Sequence, residues 1–160
     1  MQATNESSIE MNFIKLKCLV PGFYDKHLKV WLSEFSSKSL YLIDSEIFHT
    51  KPYYYLNELQ HFFGLETFID YRKIVVFNKE KGFYCIKLKN EKVKCLGPSK
   101  GRSYSSIDDD SRRYLKQYYK KENKLLKTLL TKFGFNIPLW LKYILENVLK
   151  FNQFLKLYLK

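Results

Sequence analysis

The stretch Lys81–Tyr104 reads KGFYCIKLKNEKVKCLGPSKGRSY, and its second half carries the residues best suited to chemistry. Gly97-Pro98-Ser99-Lys100-Gly101-Arg102 combines two glycines, a hydroxyl and two fixed cations. Exposed backbone amides, a hydroxyl and Lys/Arg side chains are what a phosphate or sulfate group requires. Gly101 would let the main chain approach an anion closely, and Arg102 offers a bidentate fork. On spacing alone, an ordinary basic surface turn accounts for the same residues. What precedes the loop sharpens the reading. Phe83, Cys85 and Ile86 lie in one short alternating run and Val93, Cys95 and Leu96 in a second, on either side of Lys89-Asn90-Glu91-Lys92. This is a hairpin pattern with its turn at or near Asn90, and it sets the two cysteines face to face.

The remaining reactive residue types are less suggestive. Cys18 is the third cysteine; an odd count with one close pair predicts one local disulfide and a spare thiol, and a disulfide implies an oxidising compartment. No second cysteine pair and no His-x-x-x-His spacing supports zinc. His27 falls among apolar helix positions and reads as a structural histidine; His49 and His61 read as surface. Asp44-Ser45-Glu46 resembles an acid pair, but a strand-end turn and helix cap explains it more simply. Asp108-Asp109-Asp110 fits negative charge at a helix start better than a calcium loop, which would need a glycine and a downstream ligand set. No metal is expected. Tyr53-Tyr54-Tyr55 reads as core and rim.

These residues must be held by a fold that 160 residues with 46% hydrophobic content can supply as one domain. Lys and Arg number 28 against 16 Asp and Glu, a formal charge of +12, which favours polyanionic partners: nucleic acid, anionic lipid, or a sulfated or phosphorylated substrate. No nucleic-acid motif is present, so that partner is not expected. Met1–Glu10 has no basic-then-apolar pattern of a signal peptide, and no run of eighteen uncharged apolar residues spans a membrane. A disulfide pattern without a targeting signal is reconciled if the chain is part of a longer secretory protein.

In chain order, residues 1–17 read as a poorly ordered lead-in. A helix is expected from Pro21, with His27, Leu28, Trp31, Leu32 and Phe35 at helical spacing. Leu40–Ile43 reads as a short buried strand. A helix opens near Lys51-Pro52 and stops at Gly64, and Ile74–Phe77 is a β-branched strand. A long helix opens over Ile107–Ser111 and closes at Gly134. Pro138 starts a last helix, with Leu141, Ile144, Val148, Phe151, Leu155 and Tyr158 as a packing seam; residues 142–160 are an extra amphipathic helix. Helix and strand alternate, which is an α/β pattern. The strands are few for two long closing helices, which suits a piece of a larger fold.

Several of these stretches carry a family resemblance. Cys18-Leu19-Val20-Pro21-Gly22-Phe23-Tyr24 with His27, Trp31 and Leu32 resembles a helix opening of heparan sulfate sulfotransferases, as do Lys81–Cys85 and Cys95–Arg102. The 3-O-sulfotransferases share much of this. Ile69–Lys73, Asp110–Tyr119, and Leu129-Leu130 through Pro138–Leu141 look more like the N-deacetylase/N-sulfotransferase branch. The resemblance covers about Cys18 to Leu141, so residues 18–141 read as the C-terminal half of a sulfotransferase domain.

The resemblance implies a partial P-loop nucleotide-kinase-like fold, a mostly parallel sheet with flanking helices and a disulfide-linked hairpin, Cys85 to Cys95. It implies 3′-phosphoadenosine 5′-phosphosulfate as donor, with Lys100, Gly101, Arg102, Ser103 and Tyr104 against the nucleotide. It implies heparan sulfate or heparosan as acceptor, with transfer to the glucosamine amine. A 3-O-sulfotransferase or a non-catalytic polyanion-binding module are the alternatives. It implies residence in the Golgi lumen or membrane within a longer type II membrane protein, anchored by a segment this chain lacks. The family's phosphosulfate loop and acidic base belong upstream, so no catalytic residue is assigned here and the chain alone is expected to be inactive. Ser45 stands where the family usually has glycine after Asp44, and Pro98 where a basic residue is common.

Overall fold

A computed structural model describes residues 3–66, 68–97 and 105–146, with the backbone alone for 3–8. These fall into two compact units, one from residues 3–40 and 107–146, the other from 41–66, 68–97 and 105–106.

The first unit is helical. Residues 3–14, where a poorly ordered lead-in is expected, form helix α1 (Ala3–Ile14), which runs into a π-helical turn, Lys15–Leu19, and a tight turn, Val20–Gly22. Helix α2 (Tyr24–Glu34) follows; Pro21 and Gly22 lie in the turn before it. The expected long helix after Asp108 is two, α6 (Asp109–Tyr118) and α7 (Lys120–Lys132). Main-chain hydrogen bonds continue across the break, from Tyr119 N–H to Leu115 O at 3.0 Å and from Asn123 N–H to Tyr119 O at 2.8 Å. The break coincides with a tertiary contact: Tyr119 Oη donates to Leu19 O at 2.7 Å, while Phe23 stacks on Tyr118 and meets Tyr119 edge-on. Tertiary contact thus overrides local periodicity. Gly134, at φ 74°, closes α7, and Phe135 N–H returns to Leu130 O at 2.9 Å. Helix α8 (Leu139–Glu146) then begins just after Pro138. Leu126 and Leu130 of α7 and Leu141 of α8 form the buried core, flanked by Leu28, Phe135, Ile137, Trp140 and Leu145. Of the expected closing seam, Leu141 is buried and Ile144 is at the surface; Val148, Phe151, Leu155 and Tyr158 lie outside the described residues.

The second unit contains helices α3 (Ser45–Thr50), α4 (Pro52–Phe62) and α5 (Tyr71–Ile74) and strands β1 (Val75–Asn78), β2 (Phe83–Lys87) and β3 (Val93–Lys94). Leu40–Ile43 is not a strand. No neighbouring strand offers it a ladder among the described residues, and Leu42 and Ile43 stay exposed. Helix α4 starts at Pro52 as expected, and Gly64 beyond it holds φ 68°. Gln60 ties the helix to the next segment, donating to Ile69 O at 2.9 Å and accepting from Ile69 N–H at 3.0 Å.

The described sheet is three-stranded and antiparallel, in the order β1-β2-β3. Val75 pairs with Ile86 and Phe77 with Tyr84; Ile86 also pairs with Lys94. The mostly parallel sheet implied by the resemblance is not seen among these residues. Its absence has a local cause. Only the short Lys79–Gly82 turn separates β1 from β2, and parallel strands need a crossover of a dozen or more residues.

Candidate functional site

The hairpin β2–β3 is anchored from one side. Tyr84, on β2, donates its hydroxyl proton to Thr50 O at the end of α3, at 2.8 Å. Its ring is met edge-on by Phe77 of β1 and Tyr53 of α4. Burial raises the Tyr84 phenol above its ordinary pKa, with a smaller contribution from Tyr53. Strand β3 is the sheet edge, and Val93 and Lys94 are both exposed. A strand of two residues is a weak ladder, and here a covalent bond reinforces it. Cys85 and Cys95 are disulfide-bonded with Cα atoms 4.5 Å apart, and Cys85 is buried. Asn78 of β1 places its amide 3.8 Å from the Cys95 sulfur.

The turn lies where the sequence indicates. Glu91 N–H reaches Leu88 O at 3.0 Å, Leu88 N–H reaches Lys92 O at 2.8 Å, and Asn90 Oδ1 accepts from Lys92 N–H at 3.2 Å. Glu91 takes the left-handed conformation at φ 65°, and its carboxylate pairs with Lys87. After Cys95 the chain passes through exposed Leu96 and Gly97. The sequence-assigned nucleotide residues, Lys100, Gly101, Arg102, Ser103 and Tyr104, lie outside the described residues. What the structure shows is the braced arm that delivers the chain to them.

The acidic candidates resolve into caps. Asp44 Oδ1 accepts from Glu46 N–H at 3.0 Å, and Asp44 N–H donates to the Tyr55 hydroxyl at 3.2 Å. Asp108 caps α6 by accepting from Ser111 N–H at 2.8 Å; that bond holds the Asp108 carboxyl below the usual range. Asp109 and Asp110 pair with Arg112 and Arg113. Among the described residues no group of three or more His, Cys, Asp or Glu side chains is placed to hold a metal ion. His49 and His61 are exposed as expected, whereas His27, read as a structural histidine, is exposed too, and so is the free Cys18. No described helix is long and apolar enough to cross a membrane.

Two features escape sequence reasoning. Asp25, in the first turn of α2, is buried, and its Oδ1 has no hydrogen-bond partner among the described residues. An acid in a helix's first turn gives no signal that it is buried. Tyr119's role as a corner pin depends on a carbonyl a hundred residues away.

The family model for the sulfotransferase domain matches residues 2–129. The chain is 39% identical over 145 residues to the bifunctional heparan sulfate N-deacetylase/N-sulfotransferase 1 of Homo sapiens, covering 91% of the chain and 16% of that protein. It is 40% identical over 139 residues to N-deacetylase/N-sulfotransferase 3 of Homo sapiens, covering 87% and 16%. To the type 1 protein of Xenopus laevis it is 37% identical over 147 residues, covering 92% and 17%. The chain therefore spans about a sixth of the length of these curated relatives.

Proposed function

This chain belongs to the sulfotransferase domain family, and from that membership we propose that it forms the nucleotide-binding later part of a heparan sulfate glucosamine N-sulfotransferase. The observation that carries the reading is the Cys85–Cys95 brace, which closes the hairpin directly before Gly97-Pro98-Ser99-Lys100-Gly101-Arg102. The donor would be 3′-phosphoadenosine 5′-phosphosulfate and the acceptor the glucosamine amine of a heparan sulfate or heparosan chain. In such a transfer the amine nitrogen bonds to sulfur, the bond from sulfur to the nucleotide phosphate oxygen breaks, and an acceptor proton leaves. Negative charge grows on the leaving phosphate, so fixed cations beside it lower the barrier.

In this reading Gly101 admits the nucleotide phosphate to the main chain, Arg102 grips it with two donors and Lys100 adds a point charge. Ser103 contributes a hydroxyl, and Tyr104 packs near the adenosine. The phosphosulfate loop and the acidic base belong to a part of the fold that this chain does not supply. That part also carries the parallel, P-loop-like portion of the sheet. Residues 18–141 then form one half of the domain, and residues 142–160 are an addition to it that continues from α8. The working protein is a longer Golgi type II membrane protein, and the isolated chain transfers no sulfate.

The experiment is ligand stabilisation. Adenosine 3′,5′-bisphosphate should raise the melting temperature of the chain by mass action, and Arg102→Ala should abolish the rise. Stabilisation by heparin alone, indifferent to Arg102, would replace this reading with a non-catalytic polyanion-binding module, which the charge of +12 favours. Acceptor assays on a full-length protein containing this chain, with amine against hydroxyl as target, separate N-sulfation from 3-O-sulfation.

A further inference from the structure

The junction of α6 and α7 carries a feature that the nucleotide reading does not use. An open groove of about 400 Å³ is lined by Gln117, Lys120, Lys121, Lys124 and Leu125. At about 100° per residue, these α7 positions lie on the side of the helix opposite Asn123, Leu126 and Leu130, which are buried. All five lining residues are exposed.

The charge on α6 and α7 is distributed unevenly. Arg112 and Arg113 of α6 are matched by Asp109 and Asp110, and Lys127 of α7 by Glu146 of α8. Lys120, Lys121 and Lys124 have no ion-pair partner among the described residues. Lys120 and Lys124 are four apart on one helix, a spacing at which like charges repel. The fold gains nothing from that repulsion, whereas a bound polyanion would relieve it.

We propose that this groove is a secondary binding site for the sulfated stretches of a glycosaminoglycan chain, separate in sequence from the Lys100–Tyr104 segment. The proposal rests on the polysaccharide substrate inferred above and adds where the product would be held. Three mobile ammonium groups suit a flexible polyanion, and Leu125, 48% exposed, gives an apolar floor for the C–H face of a sugar ring. No aromatic side chain lines the groove, so it lacks the stacking platform that single-stranded nucleic acid uses. Its single leucine is not the broad apolar face with which a helix lies in a membrane. A site of this kind would keep a partly sulfated chain on the enzyme between transfers.

The test compares the full chain with two variants of equal charge. One is Lys120→Ser/Lys121→Ser/Lys124→Ser. The other is Lys29→Ser/Lys38→Ser/Lys79→Ser, which removes exposed lysines outside the groove. Affinity for a heparin octasaccharide is measured across a salt series, with melting temperatures as a check on folding. The groove variant should bind roughly tenfold or more weakly, with a shallower salt dependence, by the counterion-release logic of polyanion binding. The control should change far less, and Lys120→Arg/Lys121→Arg/Lys124→Arg should restore binding. Equal losses in the two serine variants, or no loss in the groove variant, would overturn the site. Selective loss of binding to phosphatidylserine vesicles with heparin affinity intact would overturn it in favour of a lipid surface. Stabilisation by adenosine 3′,5′-bisphosphate is read separately. If it is absent while the groove variant still loses heparin, the nucleotide reading fails and the groove stands.

Discussion

Single residues at the α2 and α6–α7 corner are held more tightly than their exposure suggests. A Cβ on Gly22 would stand 2.7 Å from Tyr119 Oη and 2.9 Å from two ring carbons. That ring cannot easily retreat, because its hydroxyl is bonded to Leu19 O and Phe23 and Tyr118 flank it. Gly22→Ala should therefore destabilise by roughly 1–3 kcal/mol, the usual cost of overpacking, as read by urea unfolding. Tyr119→Phe should lose about 1 kcal/mol with its hydrogen bond. It also removes the nearest clashing atom, so the double variant should lose less than the sum. Tyrosines set the alkaline limit as well. Burial first, then Glu58, Tyr55 and Tyr54, push the Tyr41 phenol up to about 12; Tyr55, Tyr84 and Tyr119 are raised for the same leading reason. Between the ordinary value of 10 and the raised one, the unfolded chain has released protons that the folded chain still holds. Stability should thus fall as pH rises above 10 and level off near 12. Melting temperatures between pH 9 and 12 check the direction, and Tyr41→Phe should flatten the decline.

At the scale of elements, the hairpin shows what sequence reading captures and what it misses. Its two arms, its turn at Asn90 and the pairing of Cys85 with Cys95 are legible because alternation, turn residues and cysteine spacing are all local signals. The same holds for α4 between Pro52 and Gly64. Leu40–Ile43 misleads because a short apolar run forms a strand only where another strand meets it. The α6–α7 break is illegible because it depends on contact with Leu19. Two predictions follow from the hairpin's geometry. Glu91→Gly removes a left-handed conformation costing about 1–2 kcal/mol in a non-glycine residue, and gives up an exposed pair with Lys87 worth at most about 1 kcal/mol. The variant should therefore melt higher. Cys85→Ser/Cys95→Ser should cost no more than about 3 kcal/mol, because so short a loop restricts the unfolded chain little. It should also weaken nucleotide binding if the brace presents the following segment.

For the whole molecule, the comparisons bear out the family, the structure bears out the disulfide-linked hairpin, and the described sheet is antiparallel where a mostly parallel one is expected. Recognition came from short stretches such as Cys95–Arg102, whose residue types are tied to chemistry. The parallel sheet is what the resemblance implies; the described strands are antiparallel and joined by short turns. The candidate site was legible only as composition: two cations, two glycines and a brace. Net charge has consequences at this scale too. With +12 spread over 160 residues, binding to any polyanion should weaken steeply with salt. The groove and nucleotide predictions are therefore best measured near physiological ionic strength.

The cystine also changes what a break in the main chain would mean. Because Cys85 and Cys95 bracket the solvent-facing bend, severing one peptide bond there leaves a molecule of two polypeptides still tied together. With a site-specific protease sequence inserted after Asn90, the digested protein should migrate as one species without thiol reagent and as two with it. The fold can thus be cut open at its tip without losing a piece.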